Sequence, residues 1–215
     1  VKTNPFLEIA AASNVASQRK TVDLEVIQRA LDYLASPECR FNPSWLWATV
    51  IRTFYYTGVR RRQLVGAVWG DMDFNRRIWC VRADTSKNHR MLILPIADPL
   101  LADLRKLHDA TRDKLGRTPP LQQQVFCIPL FNGRYGGPKT TRSHVSVFFR
   151  RLSKELGTPI SSHRIRHTVA TTLAAQGNIR VVQDLLGHVS IQTTMRYIHP
   201  DLGQLRSLVE SLPDI

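Results

Sequence analysis

The sequence predicts a mainly helical α+β domain with one small antiparallel sheet. Three observations point there. Apolar residues recur at helical spacing through most of the chain. Two nearby segments, "RIWCVRA" and "RMLILPI", are short and rich in residues that favour strands. The final third reads as a run of helices separated by short glycine-containing joints.

Taken in order, residues 1–20 have mixed polarity and a proline, and read as a linker or lead-in to a domain over 21–215. "TVDLEVIQRALDYLAS" has a polar start followed by helical apolar spacing. "PSWLWATVIRTFYYTG" is a strongly apolar helix, placed centrally in the core, that closes at Gly58, a residue suited to the left-handed conformation. "VRRRQLVGAVWGDMDF" predicts a short helix and a turn. The two strand-like segments then form a hairpin through "DTSKNH", with Lys87 near its tip. "DPLLADLRKLHDATRDKL" is an amphipathic helix. "GRTPPLQQQVFCIPLFNGRYGGPKTT" is looser and contains one strand, and "RSHVSVFFRRLSKEL" returns to helical spacing. "SSHRIRHTVATTLAAQG", "IRVVQDLLGH", "SIQTTMRYIH" and "LGQLRSLVESL" complete the helical third. There is no internal repeat. With 215 residues and 43% hydrophobic content, the chain can bury a single core.

Composition narrows the function classes. Thirty Lys and Arg against seventeen Asp and Glu give a formal charge of +13, which points to a polyanionic partner, nucleic acid first. A basic surface that serves only solubility is the alternative. Cys39, Cys80 and Cys127 are odd in number and form no CxxC pair, so a disulfide framework or zinc knuckle is not indicated and a reducing compartment fits best. No apolar run approaches the roughly 20 residues that a membrane span requires, and the start lacks a signal-peptide pattern. The expectation is a soluble, cytoplasmic protein, associated with the nucleoid when bound to DNA, with no membrane partner.

The chemistry-bearing residues cluster late in the chain. In "SSHRIRH" the serines offer a helix N-cap, and His163, Arg166 and His167 fall three and four positions apart on one helical face. Such a face suits an anion, but also describes a solvated basic surface or a core histidine. As a zinc pair, His163 and His167 lack a third ligand nearby, and Arg166 between them opposes a metal. Tyr197 in "TTMRYIH" is either a packed aromatic or a nucleophile. Its phenol has a reference pKa of about 10, so nucleophilicity requires neighbours that take its proton or stabilise its oxyanion.

Together with "TGVR" upstream, "SK" on the hairpin and "LGH" nine residues before Tyr197, these segments resemble the tyrosine recombinase (phage integrase) family over nearly the whole chain. Each motif is weak alone, but the ordered set is specific. The resemblance implies a recombinase catalytic-domain fold and site-specific cleavage and rejoining of double-stranded DNA through a 3′-phosphotyrosyl intermediate. It makes Arg60 and Arg166 the arginines that neutralise the phosphate, a task for which planar guanidinium forks are better matched than an ammonium. It assigns His163 to accepting the tyrosine proton, Lys87 to protonating the departing 5′ oxygen, His188 to a hydrogen bond with the scissile phosphate, and Tyr197 to the attack. Because covalent capture keeps the bond energy, it implies no cofactor and no metal.

The sequence departs from the family pattern at Gln63, where relatives commonly carry an acidic residue that helps hold the site together. The expectation is retained chemistry, with the arginine position open to change. The amino-terminal helical domain that completes a DNA clamp in relatives is expected to be absent, with "KTNPF" resembling the linker that follows it. Leu202, Leu205, Leu208, Val209 and Leu212 form a stripe after Tyr197. This stripe either packs on its own core or, as in relatives, docks on a neighbour to build a homotetramer on DNA, the isolated fragment being a monomer. A type IB topoisomerase-like enzyme, which rejoins the same strand, and a catalytically silent DNA-binding module are the competing readings.

Overall fold

The computed structural model describes residues 21–85 and 91–175, together with residues 182, 183 and 186. The expected helices over "IRVVQDLLGH", "SIQTTMRYIH" and "LGQLRSLVESL" therefore lie largely outside the described residues, apart from helical Val182, Gln183 and Leu186.

Helix α1 (Leu24–Ala35) buries Val26, Ile27, Ala30 and Leu34, one stripe of its helical repeat. Helix α2 (Ser44–Thr57) is nearly apolar throughout, and its burial follows, with Leu46, Trp47, Val50, Ile51 and Phe54 all enclosed. It is the central element, packed against α1, α4 (Asp98–Leu115) and α7 (Ser162–Ala175). Trp47 anchors this arrangement by stacking on Phe148 of α6 (Arg142–Glu155), with ring centroids 4.0 Å apart. Its indole N–H, which would be costly to bury unpaired, donates to the Tyr135 hydroxyl at 3.1 Å.

Between α2 and α4 lie the short helix α3 (Arg61–Gly66) and a three-stranded antiparallel sheet, β1 (Met72–Asp73), β2 (Ile78–Val81) and β3 (Leu92–Pro95), in the order β1-β2-β3. Trp79 pairs with Leu94 across β2 and β3, and both face the core. The expected hairpin is present, but β1 falls where the sequence suggests only a turn. Two residues are too few to show strand alternation, so β1 is created by its pairing with β2.

The strand expected in the loose section is also absent among the described residues as a named element. Gln124 makes one isolated bridge with Val68, and Ile128–Phe131 forms the short helix α5. Val125, Phe126, Cys127 and Ile128 are buried consecutively, so this apolar run is threaded through the core without a sheet neighbour. Its backbone is served piecemeal: Val125 N–H donates to the Ala67 carbonyl at 3.0 Å and Ile128 N–H to the Thr140 hydroxyl at 2.7 Å, while the adjoining Gln124 amide donates to the carbonyls of Val65 and Thr140. Burial pushes the Cys127 thiol above its ordinary pKa.

Helix α7 opens as the sequence suggests, with the Ser161 hydroxyl accepting from Arg164 N–H at 3.2 Å. The chain preceding α1 is tied to it. Val22 N–H donates to the Thr168 hydroxyl oxygen at 3.0 Å, and that hydroxyl donates back to the Val22 carbonyl at 2.6 Å.

Helix α2 ends at Gly58, whose φ of 59° is left-handed and whose N–H donates to the Phe54 carbonyl. A second constraint is steric, since a Cβ there would lie 2.8 Å from a methyl carbon of Leu186. Gly58→Ala is expected to lose about 2 kcal/mol by combining backbone strain with overpacking. Urea denaturation followed by circular dichroism checks this, and an unchanged midpoint would remove the close approach from the account.

Candidate active site

Arg166 is the hub of the site. It lies on α7 with only 6% of its surface exposed, which would be prohibitive for a lone cation. Its guanidinium is instead held by backbone carbonyls from two other parts of the chain. One terminal nitrogen donates to Gly58 O, and the other donates to Leu186 O at 2.8 Å. Gly58 is the C-cap of α2, where the helix dipole concentrates negative partial charge, so the cation is also placed where the backbone field favours it.

The consequence is convergence. Gly58 precedes Arg60 by two residues and Leu186 precedes His188 by two, so one side chain gathers the "TGVR", "HRIR" and "LGH" segments. Arg60, half-buried, stands at the N-cap of α3. Its backbone N–H donates to the Gln63 side-chain oxygen at 2.7 Å, and its carbonyl accepts from the N–H groups of Gln63 and Leu64. Gln63 is 2% exposed, so this acceptor is fixed in place. The residue that departs from the family pattern therefore performs a neutral capping task on the backbone of the arginine.

His163 is exposed at the start of α7 and His167 is half-buried one turn later. Their Nε2 atoms are 2.9 Å apart, with ring centroids separated by 4.2 Å, which is a hydrogen-bonded pair. The face read in the sequence thus divides by depth, with Arg166 directed inward and His163 outward. Among the described residues no group of three or more His, Cys, Asp or Glu side chains could hold a metal ion. Likewise, no helix among them is long and apolar enough to cross a membrane.

Lys87, His188 and Tyr197 lie outside the described residues. The stem that carries Lys87 is nevertheless built. Arg62 of α3 donates to the Asp84 carbonyl at 2.6 Å, and Arg82 donates to the Gly66 carbonyl at 2.7 Å. Thr85 seals the joint: its hydroxyl donates to the Arg82 carbonyl, and its side chain fills the space where a Cβ on Gly66 would be. Asp71 forms an ion pair with Arg82 at 3.4 Å, and burial raises its carboxyl above the ordinary range, against the lowering effects of Val68 N–H and Arg82. Helix α3, which starts at Arg60, thereby also carries the base of the lysine hairpin.

Residues 20–203 match the phage integrase family. The chain belongs to that family. Among curated relatives it is 33% identical to a putative tyrosine recombinase XerC of Pseudomonas syringae, over 97% of this chain and 46% of that protein. It is 31% identical to a putative tyrosine recombinase XerC of Pseudomonas aeruginosa, over 89% of this chain and 47% of that protein. The chain therefore spans about half the length of these curated relatives. The fold is similar to that of the XerA recombinase, with a TM-score of 0.65 and 23% identity over 91% of this chain and 66% of that one. It is also similar to the catalytic domain of bacteriophage HP1 integrase, with a TM-score of 0.59 and 21% identity over 89% of this chain and 94% of that one. The small sheet and surrounding helices are accordingly those of a phage integrase catalytic domain.

Two features of this phage integrase domain were only partly visible in the sequence. Gly58 reads as a helix terminator, but its approach to Leu186 is a tertiary fact. Gln63 reads as a departure, and the S/T-x-x-E/Q type of spacing from Arg60 was the available sign of its capping role.

Arg166→Lys is expected to cost about 2 kcal/mol of stability, because one ammonium cannot reproduce a fork held between two separate carbonyls. Gln63→Leu should lose about 1 kcal/mol with the cap, whereas Gln63→Glu, which keeps the acceptor, should stay within about 0.5 kcal/mol. Chemical denaturation of the three variants checks both statements, and equal losses in the two Gln63 variants would refute the capping role.

Proposed function

We propose that this chain is the catalytic part of a site-specific DNA recombinase, with residues 21–215 as the catalytic domain, acting on double-stranded DNA in the cytoplasm. The observation that supports the reading is the Arg166 guanidinium, which holds the carbonyls of Gly58, two residues before Arg60, and of Leu186, two residues before His188.

Arg60 and Arg166 neutralise the negative charge that accumulates on the non-bridging phosphate oxygens during attack. The two carbonyl bonds of Arg166 engage two of the five N–H donors that a guanidinium carries, and they set the plane of the fork. Tyr197 attacks the scissile phosphate and becomes joined to the 3′ side, His163 takes the phenolic proton, and Lys87 gives a proton to the departing 5′ oxygen. His188 hydrogen-bonds the phosphate. The freed 5′-hydroxyl of a partner strand reverses the step, releasing the tyrosine. The phosphotyrosyl link keeps the phosphodiester bond energy, so the chemistry balances with no cofactor.

DNA is the partner that the formal charge of +13 favours, with affinity drawn largely from phosphate contacts and falling with salt. A related Tn1549 transposon integrase has been solved in complex with transposon right end DNA, and a XerH site-specific recombinase bound to its difH substrate. In the longer protein that the relatives' lengths suggest, the assembly on DNA is a homotetramer; the fragment alone is a monomer.

The test is incubation of the chain with nicked half-site duplexes taken from the ends of the element that encodes it, followed by denaturing electrophoresis. A protein–DNA adduct that forms with the unsubstituted chain and is abolished in Tyr197→Phe is the expected result. An adduct that persists in Tyr197→Phe, or none from a chain shown to bind the duplex, would overturn it. Relaxation of supercoiled plasmid without strand exchange would instead favour a topoisomerase.

A further inference from the structure

Hydroxyls on the helices of this chain mostly bond to their own helix. Thr49, Thr53, Thr57, Thr111, Ser146 and Ser153 each donate to the carbonyl four residues back, the usual outlet for a helical hydroxyl. Thr168 of α7 does otherwise. Its hydroxyl donates to the carbonyl of Val22, 146 residues away in sequence, and accepts from the N–H of the same residue. Val22 and Thr168 are both buried, so one side chain satisfies both backbone polar groups of Val22 where water does not reach them. One turn earlier on α7, Arg164 donates to the Thr21 carbonyl at 3.1 Å.

Thr21 and Val22 are thus laid along α7 by three hydrogen bonds. Positions 164 and 168 are four apart and share a helical face, whereas position 166, two from each, stands about 200° away round the helix. The entering chain therefore grips α7 from the side opposite the one on which Arg166 reaches Gly58 and Leu186. Helix α7 also packs on α2, but apolar contact is non-directional and tolerates a small roll of the helix, whereas a hydrogen bond weakens steeply once misaligned. The roll of α7 is the motion that would swing the Arg166 fork out of its plane.

We infer that Thr168 is a positioning residue that acts through Arg166: by gripping both backbone groups of Val22, it fixes the rotation of α7 and joins the chain ahead of residue 21 mechanically to the helix that carries the buried guanidinium. This deepens the preceding functional reading and rests on it only for what Arg166 meets. Arg164 is the outer fastener of the same joint. No bond forms or breaks covalently there, and the joint acts on the orientation that Arg166 offers to a phosphate.

Two measurements decide the matter. The first needs no DNA and compares the unsubstituted chain with Thr168→Val, which keeps the shape and loses both bonds, and Thr168→Ser, which keeps the hydroxyl. Hydrogen exchange is followed at the Val22 amide and at the Arg166 guanidinium, whose nitrogen-15 signal is assigned with Arg166→Lys. Thr168→Val is expected to speed exchange at both places by about tenfold beyond any change shared with the amides of α4, and Thr168→Ser to restore both. Faster exchange at Val22 with Arg166 unmoved would make Thr168 a local fastener and overturn the positioning role. An unchanged Val22 would overturn the joint itself. If Thr168→Val fails to fold, Arg164→Met, which removes only the Thr21 bond, takes its place with the same expected signs and the same overturning results.

The second is the single-turnover rate of adduct formation on the nicked half-site duplex, with duplex retention measured in parallel. Thr168→Val is expected to slow the adduct by about tenfold with retention within about twofold, and Thr168→Ser to stay within about threefold of the unsubstituted chain. An undiminished rate in Thr168→Val, or equal losses in both variants, would overturn the positioning role. If the unsubstituted chain binds the duplex and forms no adduct, the functional reading fails, and the exchange measurements alone decide whether Thr168 positions Arg166.

Discussion

The buried guanidinium of Arg166 is the interaction on which the rest of the site depends. A fixed charge with 6% exposure must be compensated locally, and here the compensation comes from carbonyls of Gly58 and Leu186. Backbone carbonyls are effective partners because they do not neutralise the cation. An Asp or Glu in their place would reduce the field that the guanidinium presents to a phosphate, whereas dipoles hold it in position and leave its charge intact. The same choice recurs at Gln63, where a neutral amide oxygen caps the backbone of Arg60. The Arg166 guanidinium and the Arg60 backbone are thus each held by uncharged groups.

This solution constrains its surroundings. Arg166 can reach the end of α2 only because that helix stops at a glycine, and Leu186 can supply its carbonyl only because that glycine has no side chain to hold it off. The central position of α2 transmits the constraint, since it packs on α1, α4 and α7. The bulky stack of Trp47 on Phe148 fixes α2 from the side facing α6. A tightly packed core deforms little, so the carbonyl at the end of α2 is held to within the tolerance that a hydrogen-bonded fork needs.

Helix α3 links the arginine to the hairpin. It begins at Arg60, offers Arg62 to the Asp84 carbonyl, and ends at Gly66, whose carbonyl accepts from Arg82 and against which Thr85 packs. A helix of six residues spans from the electrostatic group to its contacts with the hairpin stem. On the proposed mechanism, this short rigid element sets the distance between the residue that stabilises the phosphate and the one that protonates its leaving oxygen. Rigid support of this kind matters because proton transfer and in-line attack depend on separations of a few tenths of an ångström.

Much of the domain was legible in the sequence. Helices α1, α2, α4, α6 and α7 follow from apolar spacing that is a local property of the chain, and the β2–β3 hairpin follows from two strand-favouring runs about a loop. The ordered residues Arg60, Lys87, His163, Arg166, His188 and Tyr197 carried the family resemblance without any coordinates. What tertiary structure decided was of a different kind. Strand β1 exists only through a neighbour, and the run from Val125 to Ile128, which has the composition of a strand, meets another backbone only at Ala67, beside the isolated Val68–Gln124 bridge, which is too short a pairing to make it one. The inward turn of Arg166 and outward turn of His163 cannot be separated by spacing, because residues three apart share a helical face and only packing assigns depth. The gathering of Gly58 and Leu186 on one guanidinium joins positions 108 and 20 residues distant from it. Local pattern is governed by the period of the backbone, whereas convergence is governed by which surfaces the folded chain buries together.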